Sequence, residues 1–254
     1  MTTRTAAVLE YHLVGYRRVW RGTVFSSFLM PVLFFLGMGL AVGEYVDRGG
    51  GLDLPYQQFI GAGLVAFTGV QVAMMESSYA VMGGFKWQRT YYGMAAAPLR
   101  VADMVAGQLG YIALRIMIAA TAFLLVMLPF GAVSSGWAVL TPVVAAVVGL
   151  AVAAPMFAFS ATVTSDNLMA VLFRFALLPM MLFSGVFYPV TQLPGALQPL
   201  AYALPLWHAV ELCRAAALGI GSAWPVSVHA GYLAVWAVVG FWLAVVRFRK
   251  RLAV

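Results

Sequence analysis

Charged residues and cysteines are both scarce in this sequence. Lys, Arg, Asp and Glu make up 9% of its 254 residues, against roughly 25% in soluble domains. Hydrophobic residues make up 63%. The single cysteine, Cys213, excludes an intrachain disulfide and a cysteine-rich metal site. This composition predicts a polytopic membrane protein, with no hydrophilic stretch long enough for a separate soluble domain.

Motifs for nucleotide, metal and acyl-transfer chemistry are also missing. The sequence has no GxxxxGK[ST] phosphate loop, no HExxH zinc motif and no GxSxG nucleophile turn. Its three histidines, His12, His208 and His229, lie far apart in the sequence. We therefore expect no catalytic centre, metal site or cofactor in this chain. The net charge of +7 could indicate nucleic acid, but its placement beside apolar runs favours a cationic membrane face and no nucleic-acid partner.

Residues 1–22 are predicted to form an amphipathic helix at the membrane surface. Leucine and aromatic side chains share one helical stripe, and arginines cluster on another. Such a helix is expected to lie flat among the cytoplasmic headgroups of the membrane lipids. A secretory signal peptide is the alternative, but its charged leader is usually shorter. The apolar stripe comprises Leu9, Leu13, Tyr16 and Trp20, and the polar one comprises Glu10, Arg17, Arg18 and Arg21.

Six apolar runs are long enough to cross a bilayer, since a crossing takes about 18 or more residues. Six crossings place both termini and most basic residues on one side, so the positive-inside bias predicts that both termini are cytoplasmic. The run Gly49–Gly51 is then an exterior turn. The predicted spans are Val24–Val42, Phe59–Val81, Val105–Leu128, Trp137–Val163, Val171–Tyr188 and Val226–Val246.

No internal repeat or linker divides the chain. We therefore expect an all-α polytopic membrane protein with a single transmembrane domain over residues 1–254. Its predicted parts are the surface helix (1–22), spans one to five (24–188), a short-helix segment (189–225) and the sixth span (226–246).

Four prolines interrupt the apolar segment Ser184–Arg214. Pro194 and Pro205 can each occupy the first turn of a helix, which predicts two short helices, Gly195–Ala203 and Leu206–Leu218. At about 1.5 Å per residue both are shorter than the ~30 Å hydrocarbon core, so we expect a re-entrant pair. A bend of this kind is tolerated only against protein or a wet cavity, which makes it a candidate gate. The predicted gate residues are Pro189, Pro194, Pro205, Glu211 and Arg214.

Three charged residues lie inside predicted spans, where an unpaired charge costs at least a few kcal/mol. Arg174 is close enough to the cytoplasmic end of the fifth span to snorkel, and the other two are further from an end. Arg115 lies well inside the third span, and Glu76 lies near the cytoplasmic end of the second. The two spans are antiparallel neighbours, so an ion pair between these residues is possible. Contact with a substrate is the alternative. Glu211 and Arg214, three residues apart on one short helix, form a predicted local pair.

The longest predicted cytoplasmic loop, Phe85–Asp103, is basic and rich in aromatic residues. Aromatic, Met and Arg side chains are enriched at protein interfaces, so the loop is a candidate partner-binding surface. The alternative is that its aromatic side chains lie at the lipid headgroup boundary. The candidate contact residues are Lys86, Trp87, Arg89, Tyr91, Tyr92, Met94, Pro98 and Arg100.

Taken together, the surface helix, the six spans, the AAAPLR end of the basic loop and the late segment SGVFYPVTQLPGALQPLAYALPLWHAVELCRA resemble the ABC-2 family of ABC-transporter permeases. Within this family the chain is most similar to permeases of the daunorubicin-resistance and nodulation-factor export type. The resemblance covers essentially the whole chain. Ser184–Arg214 and Arg89–Arg100 are its most specific parts.

This resemblance implies a homodimer bound to two copies of a separate ATP-binding subunit, which would hold the ATP and Mg²⁺. It also implies alternating access in the bacterial cytoplasmic membrane. By position, Phe85–Arg100 corresponds to a coupling helix in contact with the ATPase, and the N-terminal helix corresponds to a connecting helix. The proline-rich pair corresponds to the re-entrant helices at the exit. The family loop often carries an acidic residue where this chain has Lys86-Trp87-Gln88-Arg89, which puts in question whether the charge of this loop matches that of the ATPase.

The expected cargo is an amphipathic drug or lipid, because flexible Met-rich surfaces suit variable apolar ligands. An intramembrane enzyme acting on a lipid and an ion-coupled carrier are the alternatives. Each would need more intramembrane polar groups than Glu76 and Arg115 provide. Copurification of an ATPase would separate the permease from both alternatives. The candidate cargo-path residues are Met38, Phe67, Met74, Met117 and Phe183.

Overall fold

The computed structural model describes residues 3–50 and 52–253, without the side chains of residues 23–28. Every regular element in these ranges is helical, which confirms the all-α fold class. Gly51 of the predicted exterior turn, and Met1, Thr2 and Val254 of the predicted domain, lie outside the described residues. The α-helices are α1 (Thr3–Phe34), α2 (Gly43–Arg48), α3 (Tyr56–Ser77), α4 (Tyr79–Lys86), α5 (Thr90–Ala95), α6 (Val101–Met127), α7 (Thr141–Ser160), α8 (Asp166–Leu172), α9 (Leu178–Phe183), α10 (Gln198–Tyr202), α11 (Pro205–Leu218) and α12 (Val226–Leu252).

Six helical stretches are long and apolar enough to cross a membrane, which confirms the predicted number of spans. Their ends extend beyond the predicted apolar runs in several places. Backbone hydrogen bonds continue a helix past the hydrocarbon core, whereas an apolar run ends there. The stretches are Leu29–Arg48, Tyr56–Lys86, Val101–Phe130, Gly136–Ser160, Asp166–Phe183 and Val226–Leu252.

α1 continues without a break from the predicted surface helix into the first span. The expected boundary near residue 22 is therefore not a helix end, since Gly22 costs a helix only about 1 kcal/mol. The first part of α1 runs parallel to the start of α6. Thr5 Oγ1 donates a hydrogen bond to Asp103 Oδ1 at 2.8 Å, and Gly107 leaves the space that the Val8 side chain fills. This packing joins the N-terminal helix to the bundle.

π-helical turns occur in the first and fifth spans, at Phe35–Val42 and Phe173–Leu177. The turn in the fifth span ends two residues before Pro179 of α9. Proline has no backbone N–H to donate to the preceding turn, so the regular i to i−4 pattern is interrupted there. The turn in the first span begins four residues after Pro31 of α1. Wide turns of this type are frequent at functional sites.

α3 and α7 lie at the centre of the bundle, where small residues allow the backbones to approach closely. A Cβ atom on Gly69 would collide with the Ala145 carbonyl of α7, and one on Gly149 would collide with Ile116 of α6. Small residues at helix contacts are typical of membrane bundles, in which dispersion forces rather than hydrophobic burial drive helix association. In the most apolar 18-residue stretch of the second span 83% of the residues are buried, whereas in that of the fifth span only 6% are buried.

The first turn of α1 and the last turn of α12 lie at the same end of the bundle as the basic loop, and we call this the terminal end. Arg251 Nη1 donates to the Ala161 carbonyl at 2.7 Å, and Lys86 Nζ lies 3.2 Å from an Asp166 carboxylate oxygen. At the opposite end, which we call the far end, Gln58 Nε2 donates to the Gly131 carbonyl at 3.1 Å.

The proline-rich segment lies at the far end and contains two short helices. α11 begins at Pro205, one residue before the predicted Leu206, and it has this proline in its first turn, as the sequence predicts. The first helix is shorter than predicted, because α10 begins at Gln198 with Pro199 in its first turn rather than directly after Pro194. Residues 194–197 form a turn instead, closed by a 2.8 Å hydrogen bond from the Leu197 amide to the Pro194 carbonyl. That the pair re-enters the bilayer stays a prediction.

Candidate functional site

The basic loop at the terminal end folds into a short, fixed helix. α4 ends at Lys86, and the amides of Trp87 and Gln88 both donate to the Gly83 carbonyl at 2.9 Å. Arg89 then adopts a left-handed backbone conformation (φ 52°) that redirects the chain into α5. A non-glycine residue in this region costs about 1–2 kcal/mol. The surrounding contacts therefore hold the loop in a defined position.

Tyr91 anchors α5 to the bundle. It is 3% exposed, and its hydroxyl donates a hydrogen bond to Gln108 Oε1 at 2.6 Å. Its ring packs against Phe85 and Phe248, with centroids 4.5 and 5.0 Å apart. Burial raises the pKa of Tyr91 well above its ordinary value, so the phenol stays protonated. Tyr91 therefore positions α5 and is not available to contact a partner.

Most of the other predicted contact residues face outward. Trp87 is 58% exposed and Tyr92 is 39% exposed, while Met94 is half-buried. The Lys86 ammonium lies 5.4 Å from the centre of the Trp87 ring. The exposed set comprises Lys86, Trp87, Arg89, Tyr92, Pro98 and Arg100, and we call these six residues the coupling surface.

A cavity of about 830 Å³ lies beside the coupling surface, between α1 and the helices that flank α5. Its walls carry charged side chains of both signs, among them Glu10 and Arg18 of α1. Trp87 lies on its rim and the buried wall includes Gln108 of α6. The cavity thus separates the N-terminal helix from α4 and α5.

Glu76 and Arg115 meet behind this cavity, as the antiparallel spans predict. They form an ion pair in which the Arg115 side chain is 6% exposed and that of Glu76 is 23% exposed. The guanidinium also lies over the rings of Tyr16 and Tyr111, 5.5 and 5.9 Å from their centres. The pair therefore ties together α1, α3 and α6.

Glu211 and Arg214 form the predicted local pair at the far end, and Arg214 joins several segments. Its Nη1 donates to Glu211 at 3.2 Å and its Nη2 donates to the Gly185 carbonyl at 2.8 Å. The guanidinium stacks 3.8 Å from the centre of the Phe59 ring. Burial lowers the pKa of Arg214 to about 10, which leaves it charged at neutral pH. Glu211 also accepts a hydrogen bond from the Ala223 amide at 2.9 Å, so the loop before α12 is held too.

The sequence profile of the family described as ABC-2 type transporter matches residues 3–218. The chain belongs to this family. Nodulation protein J of Rhizobium leguminosarum bv. viciae is 30% identical to it over 249 residues, covering 97% of this chain and 94% of the relative. The protein of that name from Sinorhizobium fredii (strain NBRC 101917 / NGR234) is 30% identical over 266 residues, covering 99% of each chain. The inner membrane transport permease YadH of Escherichia coli (strain K12) is 28% identical over 231 residues, covering 90% of this chain and 87% of YadH.

The predicted family is thereby confirmed. This ABC-2 permease is a multi-pass membrane protein and the membrane subunit of an ABC transporter. Membership of this class implies a partner that binds ATP.

The candidate cargo-path residues lie apart in the permease. Phe67 and Met74 are buried in α3, whereas Met117 on α6 is 40% exposed. Met38 and Phe183 are half-buried on the first and fifth spans. None of them lines the cavity beside the coupling surface or the two far-end cavities, one beside α2 and one beside Trp137. The cargo path therefore stays a prediction.

A contact between His208 and His229 is the feature of the permease that sequence reasoning missed. Their Nδ1 atoms lie 2.9 Å apart at the far end, where α11 meets the first turns of α12. The two residues are 21 positions apart, and nothing in a single sequence gives the register of α11 against α12. The only sequence signal for this contact was the cluster of aromatic residues near both histidines, since Trp207, Trp224 and Tyr232 all pack against the pair.

Proposed function

We propose that this permease exports an amphipathic or lipid-like compound out across the bacterial cytoplasmic membrane, in a complex of two permease copies with two ATP-binding subunits. The observation that carries the proposal is the coupling surface, on which Trp87, just after α4, and Tyr92 of α5 face outward while Tyr91 fixes α5 to the bundle. Exposed aromatic side chains on a rigid support are typical anchors of a protein interface. ATP and Mg²⁺ would be bound by the partner.

The contacts of α5 supply a route for movement from an ATPase into the membrane helices. Tyr91 joins α5 to α6 through Gln108 and to α12 through Phe248. The adjoining α4 is continuous with the second span apart from a break at Ser78. A displacement of α5 would thus act on three spans at once, as alternating access requires.

The loosely packed first and fifth spans support a homodimer. In their most apolar 18-residue stretches only 22% and 6% of the residues are buried within the chain. Apolar faces are therefore left for a second copy or for lipid. Phe34 of the first span packs against Phe187, four residues past the end of the fifth span, with ring centroids 5.8 Å apart, which brings the chain after the fifth span against the first. Met38 and Phe183 lie on the same spans, so we place the cargo path between the two copies.

The distribution of basic residues supports cytoplasmic termini. The terminal end carries the arginines of α1, the basic residues of the coupling surface and the cations of α12, whereas Arg48 and Arg214 lie at the far end. Basic residues concentrate on the cytoplasmic side of membrane proteins. The proline-rich helices at the far end would then face the cell exterior and gate the exit.

Everted membrane vesicles that contain the permease and its ATP-binding subunit test this function. The probes are a fluorescent short-chain phospholipid and amphipathic dyes of either charge. We expect at least one probe to accumulate only with ATP, and to stop accumulating when the partner cannot hydrolyse ATP. Accumulation that depends on a proton gradient and not on ATP would contradict the proposal and favour an ion-coupled carrier.

A further inference from the structure

The hydrogen-bond partners of His208 and His229 determine which ring nitrogens carry protons. His208 Nε2 lies 3.1 Å from the Tyr202 carbonyl. A carbonyl only accepts hydrogen bonds, so Nε2 of His208 must be protonated and, in the neutral ring, its Nδ1 must be bare. His229 Nδ1, 2.9 Å away, must then be the donor to His208 Nδ1. This leaves His229 Nε2 bare; it makes no hydrogen bond in the described structure, and the Trp224 backbone beside the His229 ring offers a carbonyl to a proton added there.

This arrangement accepts one proton but not two. A proton added at His229 Nε2 leaves the Nδ1–H to Nδ1 bond intact and makes it charge-assisted, which strengthens it. A second proton can only go to His208 Nδ1. Both Nδ1 atoms would then be donors facing each other, with like charges on both rings.

The pair lies where the short helices contact the last span. Tyr232 of α12 stacks on His208, with centroids 4.0 Å apart, and its hydroxyl donates to the Ala203 carbonyl at 2.5 Å. The titratable or charged groups around the pair are Tyr202 on α10, Glu211 and Arg214 on α11, and Tyr232 on α12.

We propose that His208 and His229 form an acid-sensitive latch, which holds α10 and α11 against α12 while at most one extra proton is present and releases them when both rings are protonated. The latch lies at the far end of the permease, so it would respond to the pH on that side of the membrane. Burial and the neighbouring His229 together lower the pKa of His208 to about 4, so release needs distinctly acid conditions.

The protonation states can be read directly by ¹⁵N NMR of the permease in lipid nanodiscs. The chain contains only three histidines, and a His12→Gln variant removes the one that lies at the terminal end. At about pH 7.5, where unperturbed histidine is neutral, we expect His208 protonated at Nε2 and His229 protonated at Nδ1. A His208 ring protonated at Nδ1 with a bare Nε2 would overturn the assignment.

Hydrogen exchange tests the release itself. The reporters are the amides of Ala201, Ala203 and Leu204, which are hydrogen-bonded within or just after α10. Between about pH 7.5 and pH 4, after correction with an unstructured peptide, we expect their protection to fall roughly tenfold, the upper range for one lost hydrogen bond. Unchanged protection in the wild-type protein would overturn the proposal, whatever the variants do.

Two substitutions at one position separate the latch from other acid effects. In His229→Gln the amide group can donate to or accept from His208 Nδ1, so protection should persist at acid pH. In His229→Leu it should be low at every pH. If His229→Gln loses protection in acid as the wild-type protein does, another group such as Glu211 causes the release and the proposal is wrong. His12→Gln is the matched control and should behave as the wild-type protein does.

Discussion

The Glu76–Arg115 ion pair yields the most quantitative prediction. Arg115 is 6% exposed, so replacing its partner with glutamine leaves a cation that water barely reaches. Breaking a buried pair from one side costs 3–5 kcal/mol. The Glu76 side chain is 23% exposed, so the pair is not fully buried. Arg115 also retains its contacts with two tyrosine rings in the variant. We therefore expect Glu76→Gln to lower the free energy of unfolding by about 3 kcal/mol, the lower limit of that range.

The assay is unfolding by sodium dodecyl sulfate in mixed micelles, followed by circular dichroism. The variants Glu76→Gln and Arg115→Gln and their combination form a double-mutant cycle. We expect a coupling energy of at least about 1 kcal/mol, because the charges are in contact. The charge swap Glu76→Arg/Arg115→Glu should recover part of the stability. A coupling energy of zero would refute the reasoning.

The exposed pair Glu44–Arg48 supplies a matched control. It also joins a glutamate to an arginine, but its side chains are 69% and 71% exposed. Pairs at the surface contribute less than about 1 kcal/mol. The same cycle at these positions should therefore give a coupling energy well below that of the buried pair.

Three further outcomes are expected. Gly69→Ala should lower the free energy of unfolding by about 1–3 kcal/mol, because its Cβ would collide with the facing backbone of α7. Gly231→Ala is the control and should not lower it, since nothing lies near its Cβ. Equal effects of the two substitutions would contradict the close packing of α3 against α7. A Gly50→Cys variant should be labelled by an impermeant thiol reagent in intact cells and an Arg249→Cys variant should not; the reverse pattern would invert the topology. Tyr91→Phe should lose one hydrogen bond, about 1 kcal/mol of stability, and still bind the ATPase in copurification; lost binding with unchanged stability would mean that Tyr91 contacts the partner.

The fold class and the number of spans follow from the sequence because burial in lipid depends on the summed hydropathy of a run, which needs no tertiary information. The ends of the spans do not follow in the same way. The second helical stretch runs from Tyr56 to Lys86, past the predicted Phe59–Val81, since hydrogen bonding continues where the apolar run stops. The predicted start of the first short helix was wrong for a related reason. Both Pro194 and Pro199 fit a first turn, and only the packed structure selects Pro199.

The candidate site was predictable as a segment but not residue by residue. Tyr91 and Tyr92 are adjacent on a helix and so point in directions about 100° apart. Only one of them can face the core, and the sequence does not say which. The structure turns Tyr91 inward onto Gln108. The contact of His208 with His229 depends on the register between α11 and α12, which no local pattern encodes.

The central claim is that the coupling surface joins this permease to an ATPase, and copurification tests it most directly. Tagged permease carrying Trp87→Ala and Tyr92→Ala is compared with the wild-type protein for the amount of ATP-binding subunit that it retains. The matched control carries Tyr45→Ala and Trp137→Ala, two aromatic residues that are 75% and 68% exposed and belong to the far end.

Interface anchors of this kind contribute 2 kcal/mol or more, so we expect the coupling-surface variant to lose about thirtyfold in affinity for the subunit. The control variant should retain the subunit as well as the wild-type permease does. Equal retention by all three proteins would contradict the account, because the exposed aromatic residues at the terminal end would then face lipid headgroups rather than an ATPase.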